Sequence, residues 1–123
     1  MKVYAYEGCS TCRKALAYLK STGRAFETVA IRETPPSKAE LRRMLKVYEG
    51  KVKRLFNVSG GDYRALGLGA RIDSLTAEQA IDLLSKNGNL VKRPFVLVGN
   101  TGMVGFNEDE WQDKGLRQLP KGL

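Results

Sequence analysis

The segment Cys9-Ser10-Thr11-Cys12-Arg13-Lys14 is where this chain is best equipped to do chemistry. Two cysteines three positions apart lie within one helical turn, so one thiol can attack a mixed disulfide formed at the other. A thiolate at a helix start is stabilised by the unpaired backbone N–H groups there and by nearby cations, here Arg13 and Lys14. Cys9, which follows Gly8 in a loop, is therefore predicted to be the nucleophile, with a pKa below the free value of ~8.5. Cys12 lies one turn further in, on an apolar stripe, and is predicted to be the resolving thiol. The pair could instead be two inert core thiols, since free cysteine behaves as a small buried hydrophobe. That alternative suits Cys12 and fits Cys9 poorly.

Other chemistries are excluded by what the sequence lacks. There is no histidine among the 123 residues, so an activated nucleophile must draw on cations or a helix terminus rather than an imidazole. Two cysteines cannot close a tetrahedral zinc site within one chain, and no metal is expected. Nor can they build the multi-bridge framework of a small secreted domain, so a cytosolic redox pair and a cytoplasmic location are the expectation. The apolar stretch from Val3 to Tyr6 ends at Glu7, too short for a signal peptide or a membrane span. Gly60-Gly61 and Gly67-Leu68-Gly69 lack the Lys-Ser/Thr and the strand-to-helix setting of a phosphate cradle. The net charge of +8 is patchy: Arg42, Arg43, Lys46, Lys51, Lys53 and Arg54 crowd one segment, while Glu108, Asp109, Glu110 and Asp113 make the end acidic. A solvated helix face is favoured there over a partner patch. No aromatic residues interleave with the cations, so no direct contact with nucleic acid is expected.

Several elements must position the thiols. Val3 to Tyr6 reads as a short strand ended by Gly8, followed by a helix from Thr11 to near Gly23, with Cys12, Ala15, Leu16 and Leu19 on one stripe. Phe26 to Ile31 reads as a second strand, stopped by Pro35-Pro36 and parallel to the first through a right-handed crossover. Ser37 and Glu40 form a capping box for a helix that carries Leu41, Met44, Leu45 and Tyr48 inward and closes at Gly50. Short helical turns are expected from Lys51 to Asp73, then a helix capped by Thr76 and Gln79 that stops at Asn87-Gly88. Phe95 to Val98, the turn Asn100-Thr101-Gly102 and Met103 to Phe106 make a hairpin signature. Asn107 and Glu110 supply a third capping box, for a helix that returns Trp111 to the sheet.

The order is β-α-β, helical segments, β-β-α, which predicts an α/β thioredoxin-like fold. A helical insertion at about 37–88 separates its two halves. One domain spans 1–123, with a tail from about 115 expected to fray. In thioredoxin-like proteins a cis-proline just before this strand faces the reactive cysteine, which assigns that place to Pro94. Arg93 then presents a guanidinium near Cys9, suited to an anion or a carboxylate.

Taken together, CSTCRKA, TPPSKAEL, LFNVSGGDYRALGL, KRPFVLVGN and GFNEDEW resemble the arsenate-reductase-like (ArsC/Spx/YusI) family across residues 2 to about 113. The resemblance is strongest to the YusI-like branch. It implies a redox-active Cys9 with Arg93-Pro94 beside it and no bound cofactor. Electrons would come from an external thiol donor, glutathione with glutaredoxin, or thioredoxin. Glutaredoxin-dependent arsenate reductases carry serine at the position of Cys12 and hold arsenate with three arginines. Matched without gaps, two of those arginines fall at Asn57 and Gly105, leaving Arg93 alone, although Lys53 and Arg54 lie a few residues before Asn57. The CxxC and the GFNEDEW ending also resemble Spx, a transcriptional regulator that binds RNA polymerase and is switched by its disulfide. The function expected is thiol–disulfide exchange, with Cys9 attacking, Cys12 resolving and Arg93 orienting an anionic partner group. Arg13, Asn57 and Pro94 are the flanking binding residues. The alternatives are a redox-switched regulator that binds the RNA polymerase α subunit and a glutaredoxin-dependent arsenate reductase.

Overall fold

The computed structural model describes residues 1–120. Four short strands, β1 (Lys2–Ala5), β2 (Glu27–Ala30), β3 (Phe95–Val98) and β4 (Thr101–Val104), form one sheet in the order β2-β1-β3-β4. β1 runs parallel to β2 and antiparallel to β3, and β3 pairs antiparallel with β4. The helices are α1 (Ser10–Ser21), α2 (Lys38–Val47), α3 (Gly61–Ala65), α4 (Ala77–Lys86) and α5 (Glu108–Asp113), with 3-10 turns between α2 and β3. This is the thioredoxin-like arrangement, with a helical segment between its β-α-β and β-β-α parts.

Side chains that alternate along the strands divide the core in two. Tyr4, Phe95 and Leu97 join the insertion's Leu41, Met44 and Ile81 on one face. On the other, Val3, Ala5, Val96 and Val98 meet Cys12, Ala15 and Leu19 of α1 and Trp111 of α5. The insertion is tied to the sheet through its own cap: Glu40, which completes the box with Ser37, also accepts from the Tyr4 hydroxyl at 2.6 Å and the Lys2 ammonium at 3.1 Å. At its far end Gly88 lies so close to β2 that a Cβ there would fall 1.8 Å from the Ile31 carbonyl oxygen. Only glycine fits. The outer edge of β4 is covered by side chains. Arg43 donates to the carbonyls of Gly99 and Thr101, Lys114 donates to Gly102 O, and the Val104 N–H donates to the Tyr48 hydroxyl. Such cover blunts an edge that could otherwise pair with another chain.

Three expectations need correction. The hairpin turn is Gly99-Asn100, with Val98 opposite Thr101, so β4 begins two residues earlier than the sequence pattern indicates. Gly99 takes φ +52° and makes the tighter connection possible, and Phe106 is released from the strand. The cap of α5 is half a box: Asn107 accepts from Glu110 N, but the Glu110 carboxylate is turned to Tyr48 and Lys114. The tail does not fray at 115. Leu116 is fully buried, its carbonyl accepts from the Tyr18 hydroxyl at 2.7 Å, and Leu119 N donates to Ser21 O at 2.9 Å. Residues 121–123, the end of that expectation, lie outside the described residues.

Candidate functional site

Cys9 is the N-cap of α1, with extended backbone at φ −96° and ψ 121°. Its N–H donates to Tyr6 O at 3.0 Å and its carbonyl accepts the Arg13 N–H at 3.1 Å, so the loop between β1 and α1 is fixed on both sides of the thiol. Cys9 is half-buried and Cys12 is buried against the sheet, and both are free thiols. Burial pushes the Cys9 pKa up, but the backbone N–H and thiol of Cys12 and the Arg93 guanidinium outweigh it, and the net shift is downward. The sulfur does not close a full capping hydrogen bond. The Cys12 N–H therefore acts on it at looser geometry than a serine cap would show. Cys12 is pushed up to about 11, first by burial, and further by its neighbour Cys9, whereas the Tyr6 backbone and Arg93 pull the other way. The two thiols of one helical turn thus diverge in acidity.

Arg93 and Pro94 come from the residues just ahead of β3, which pairs with β1 and so returns to the loop that carries Cys9. The Arg93-Pro94 peptide is cis, and the Pro94 carbonyl accepts from Gly105 N at 2.9 Å. The Arg93 guanidinium also stacks on the Tyr6 ring, 5.1 Å from its centroid, with Arg32 at 4.6 Å from the same ring. Gly8 leaves room for that ring: a Cβ at Gly8 would fall 2.6 Å from the Tyr6 Cζ. Tyr6 thus holds the cation that faces the thiol, and no spacing in the sequence announces it.

A cleft of about 580 Å3 opens beside Cys9, with Arg54, Asn57, Lys92, Arg93 and Phe106 among the residues that line it. Asn57 is anchored through its backbone, donating to Leu90 O at 2.8 Å, and its side-chain amide reaches Asn89 O only at 3.5 Å. Arg13 is not part of this cleft. Its guanidinium turns back to Glu7 O at 2.9 Å and braces the loop instead. Of the sequence-derived residues, Cys9, Asn57 and Arg93 line this cleft, with Cys12 one turn behind Cys9 and Pro94 next to Arg93, and Arg13 is turned away. Arg54 and Lys92 line the cleft without having been assigned a role. The signal for them is weak: Lys92 adjoins Arg93, and Arg54 ends a basic run otherwise legible as solvated surface.

A thiol of lowered pKa at a strand-to-helix junction, a buried partner one turn on and a cis-proline next to the arginine that acts on that thiol define a thioredoxin-like thiol protein. The chain belongs to the ArsC family, whose model matches residues 4–114. It is 36% identical to the uncharacterized protein YusI of Bacillus subtilis over 89% of this chain and 93% of that one. It is 31% identical to the global transcriptional regulator Spx of Streptococcus mutans over 83% of this chain and 73% of that one. Among solved structures, an ArsC family related protein from Bacteroides fragilis superposes with a TM-score of 0.87 at 34% identity, covering 94% of this chain and 96% of the other. No helix among the described residues is long and apolar enough to cross a membrane.

Proposed function

We propose that the protein is a thiol–disulfide oxidoreductase in which Cys9 is the nucleophile and Cys12 the resolving thiol. The observation that supports it is the placement of the two thiols, Cys9 half-buried at the N-cap of α1 in the cleft that Arg93 lines and Cys12 buried one turn on, which draws their acidities apart, Cys9 lowered and Cys12 raised to about 11. The Cys9 thiolate attacks one sulfur of a disulfide, forms a mixed disulfide and releases the other half as a thiolate. Cys12 then gives up its proton, attacks the Cys9 sulfur and expels the second half, so two electrons pass to the substrate and a Cys9–Cys12 disulfide remains. Burial is the larger cause of the raised Cys12 pKa and persists throughout, while the smaller contribution of the Cys9 thiol is lost once Cys9 is bonded to substrate. An external thiol system, glutathione with glutaredoxin, or thioredoxin, returns the two electrons. Arg93 orients an anionic group of the partner, and Asn57 contributes neutral hydrogen bonds.

The test is mass spectrometry of single-turnover reactions with a small disulfide. Wild type should end as the internal disulfide, Cys12→Ser should accumulate the mixed disulfide on Cys9, and Cys9→Ser should not react. A mixed disulfide found on Cys12 instead would reverse the roles.

The likeness to Spx supports a second reading, in which the same disulfide switches a surface that binds the RNA polymerase α subunit. A pull-down with the C-terminal domain of that subunit, in oxidised and reduced states, separates the two. Redox-dependent capture, together with no turnover on any disulfide, would favour the regulator.

A further inference from the structure

The cleft beside Cys9 holds more positive charge than thiol activation uses. Arg93 acts on the thiol itself. Arg54 and Lys92 also line the cleft and are absent from the influences on either cysteine. Several cations elsewhere are occupied: Arg42 pairs with Glu78 at 3.1 Å, Lys38 with Asp82 at 3.2 Å, and Arg43 donates to the carbonyls at the edge of β4. None of the ion pairs among the described residues involves Arg54, Lys92 or Arg93.

Both side chains are held toward the cleft by specific features. Arg54 stacks on Tyr48, 4.4 Å from the ring centroid, and the Tyr48 hydroxyl is itself fixed between the Val104 N–H and the Glu110 carboxylate, each at 2.9 Å. Lys92 crosses Gly105, where a Cβ would fall 3.2 Å from the Lys92 Cε, so a bare glycine leaves the stem its path. Glu110 also lines the cleft, but its carboxylate oxygen is engaged by Tyr48 and by Lys114 at 3.0 Å. Val104 and Phe106 add an apolar wall. The volume of about 580 Å3 is that of a site for a small molecule rather than a single ion.

We propose that Arg54 and Lys92 form a second anion subsite that makes Cys9 select low-molecular-weight disulfides carrying a carboxylate remote from the sulfur. This deepens the oxidoreductase reading and rests on it. Arg93 serves the charge at the sulfur, Arg54 and Lys92 the distant carboxylate, and the Val104–Phe106 wall the body between. The chemistry is the exchange already described: the Cys9–substrate S–S bond forms, the substrate S–S bond breaks, and the released half leaves as a thiolate carrying its own carboxylate.

The test compares two aromatic disulfides by stopped-flow absorbance at one pH and low salt. Dithiobis(nitrobenzoate) carries a carboxylate on each half, and 2,2′-dithiodipyridine is neutral. In wild type the ratio of their second-order rate constants should favour the anionic probe relative to a free small thiol and fall as salt is added. In the Arg54→Gln/Lys92→Gln variant the ratio should drop about tenfold, the scale on which charged clefts alter encounter. The neutral probe reports in the same sample that the variant is folded and its thiol reactive. A ratio that moves less than about twofold, or a parallel slowing of both probes, overturns the subsite. If Cys9→Ser reacts with both probes as wild type does, it is the oxidoreductase reading that falls.

Discussion

At Cys9, burial raises the pKa while the Cys12 N–H and thiol and the Arg93 guanidinium lower it, and the cations and donors win. Arg93→Gln removes one of the winning contributions. The midpoint of iodoacetamide labelling against pH should then rise, and labelling at neutral pH should slow severalfold; an unmoved midpoint would leave Arg93 without influence on the thiol. The two cysteines also leave opposite marks on stability. Cys9, depressed in the folded state, contributes stability above its unfolded pKa of ~8.5 that is lost as pH falls through the folded value. Cys12, raised to about 11, contributes stability that is fully present below ~8.5 and is lost as pH climbs toward 11. Urea midpoints should therefore fall more steeply between pH 8.5 and 11 for wild type than for Cys12→Ala. Parallel curves would mean that Cys12 titrates normally.

Among the elements, those with a strong period and a local cap were legible in the sequence. α2 and α4 announce themselves through Ser37/Glu40 and Thr76/Gln79, and both boxes close as expected. β3 was legible as a continuous apolar run because both of its faces are covered. What failed depended on partners distant in sequence. Glu110 sits at the right spacing for a box with Asn107, yet Tyr48, 62 positions away, claims its carboxylate. The docked tail is not legible in the sequence, because nothing in LysGlyLeu, residues 114–116, shows that Tyr18 of α1 reaches the Leu116 carbonyl. That docking can be measured. Leu116 is fully buried with Trp111 and Leu19, so Leu116→Ala should cost about 2–5 kcal/mol in urea unfolding. A loss below about 1 kcal/mol would show that the tail does not hold α1.

The cleft is a property of the whole molecule: the β1–α1 loop supplies the thiols, the insertion Arg54 and Asn57, the lead into β3 Lys92 and Arg93, and the end of β4 its apolar wall. Its centre was legible because Cys9 and Cys12 share a turn and Arg93-Pro94 precedes a strand. Its periphery was not, because Tyr6, Arg54 and Lys92 meet the site only through tertiary packing. The same distribution bears on arsenate reduction, the activity that the family resemblance raises. Arsenate is compact and tetrahedral, and fixing it for thiolate attack needs several donors converging on one small volume to offset its charge and lost hydration. Here Arg93 offers one fork, Asn57 a neutral amide and Gly105 no side chain. Lys92 and Arg54 are solvent-exposed, Arg54 is stacked on Tyr48, and the open volume of about 580 Å3 suits an extended molecule. Cations spread over an open cleft of that size can meet a charge at the far end of an extended molecule, but they do not converge on one compact anion. In a coupled assay with glutaredoxin, glutathione and arsenate, turnover should stay well below the order of 1 s⁻¹ at which ordinary enzymes begin. Turnover at or above that level, lost in Cys9→Ser, would show that one arginine suffices to hold arsenate beside this thiol.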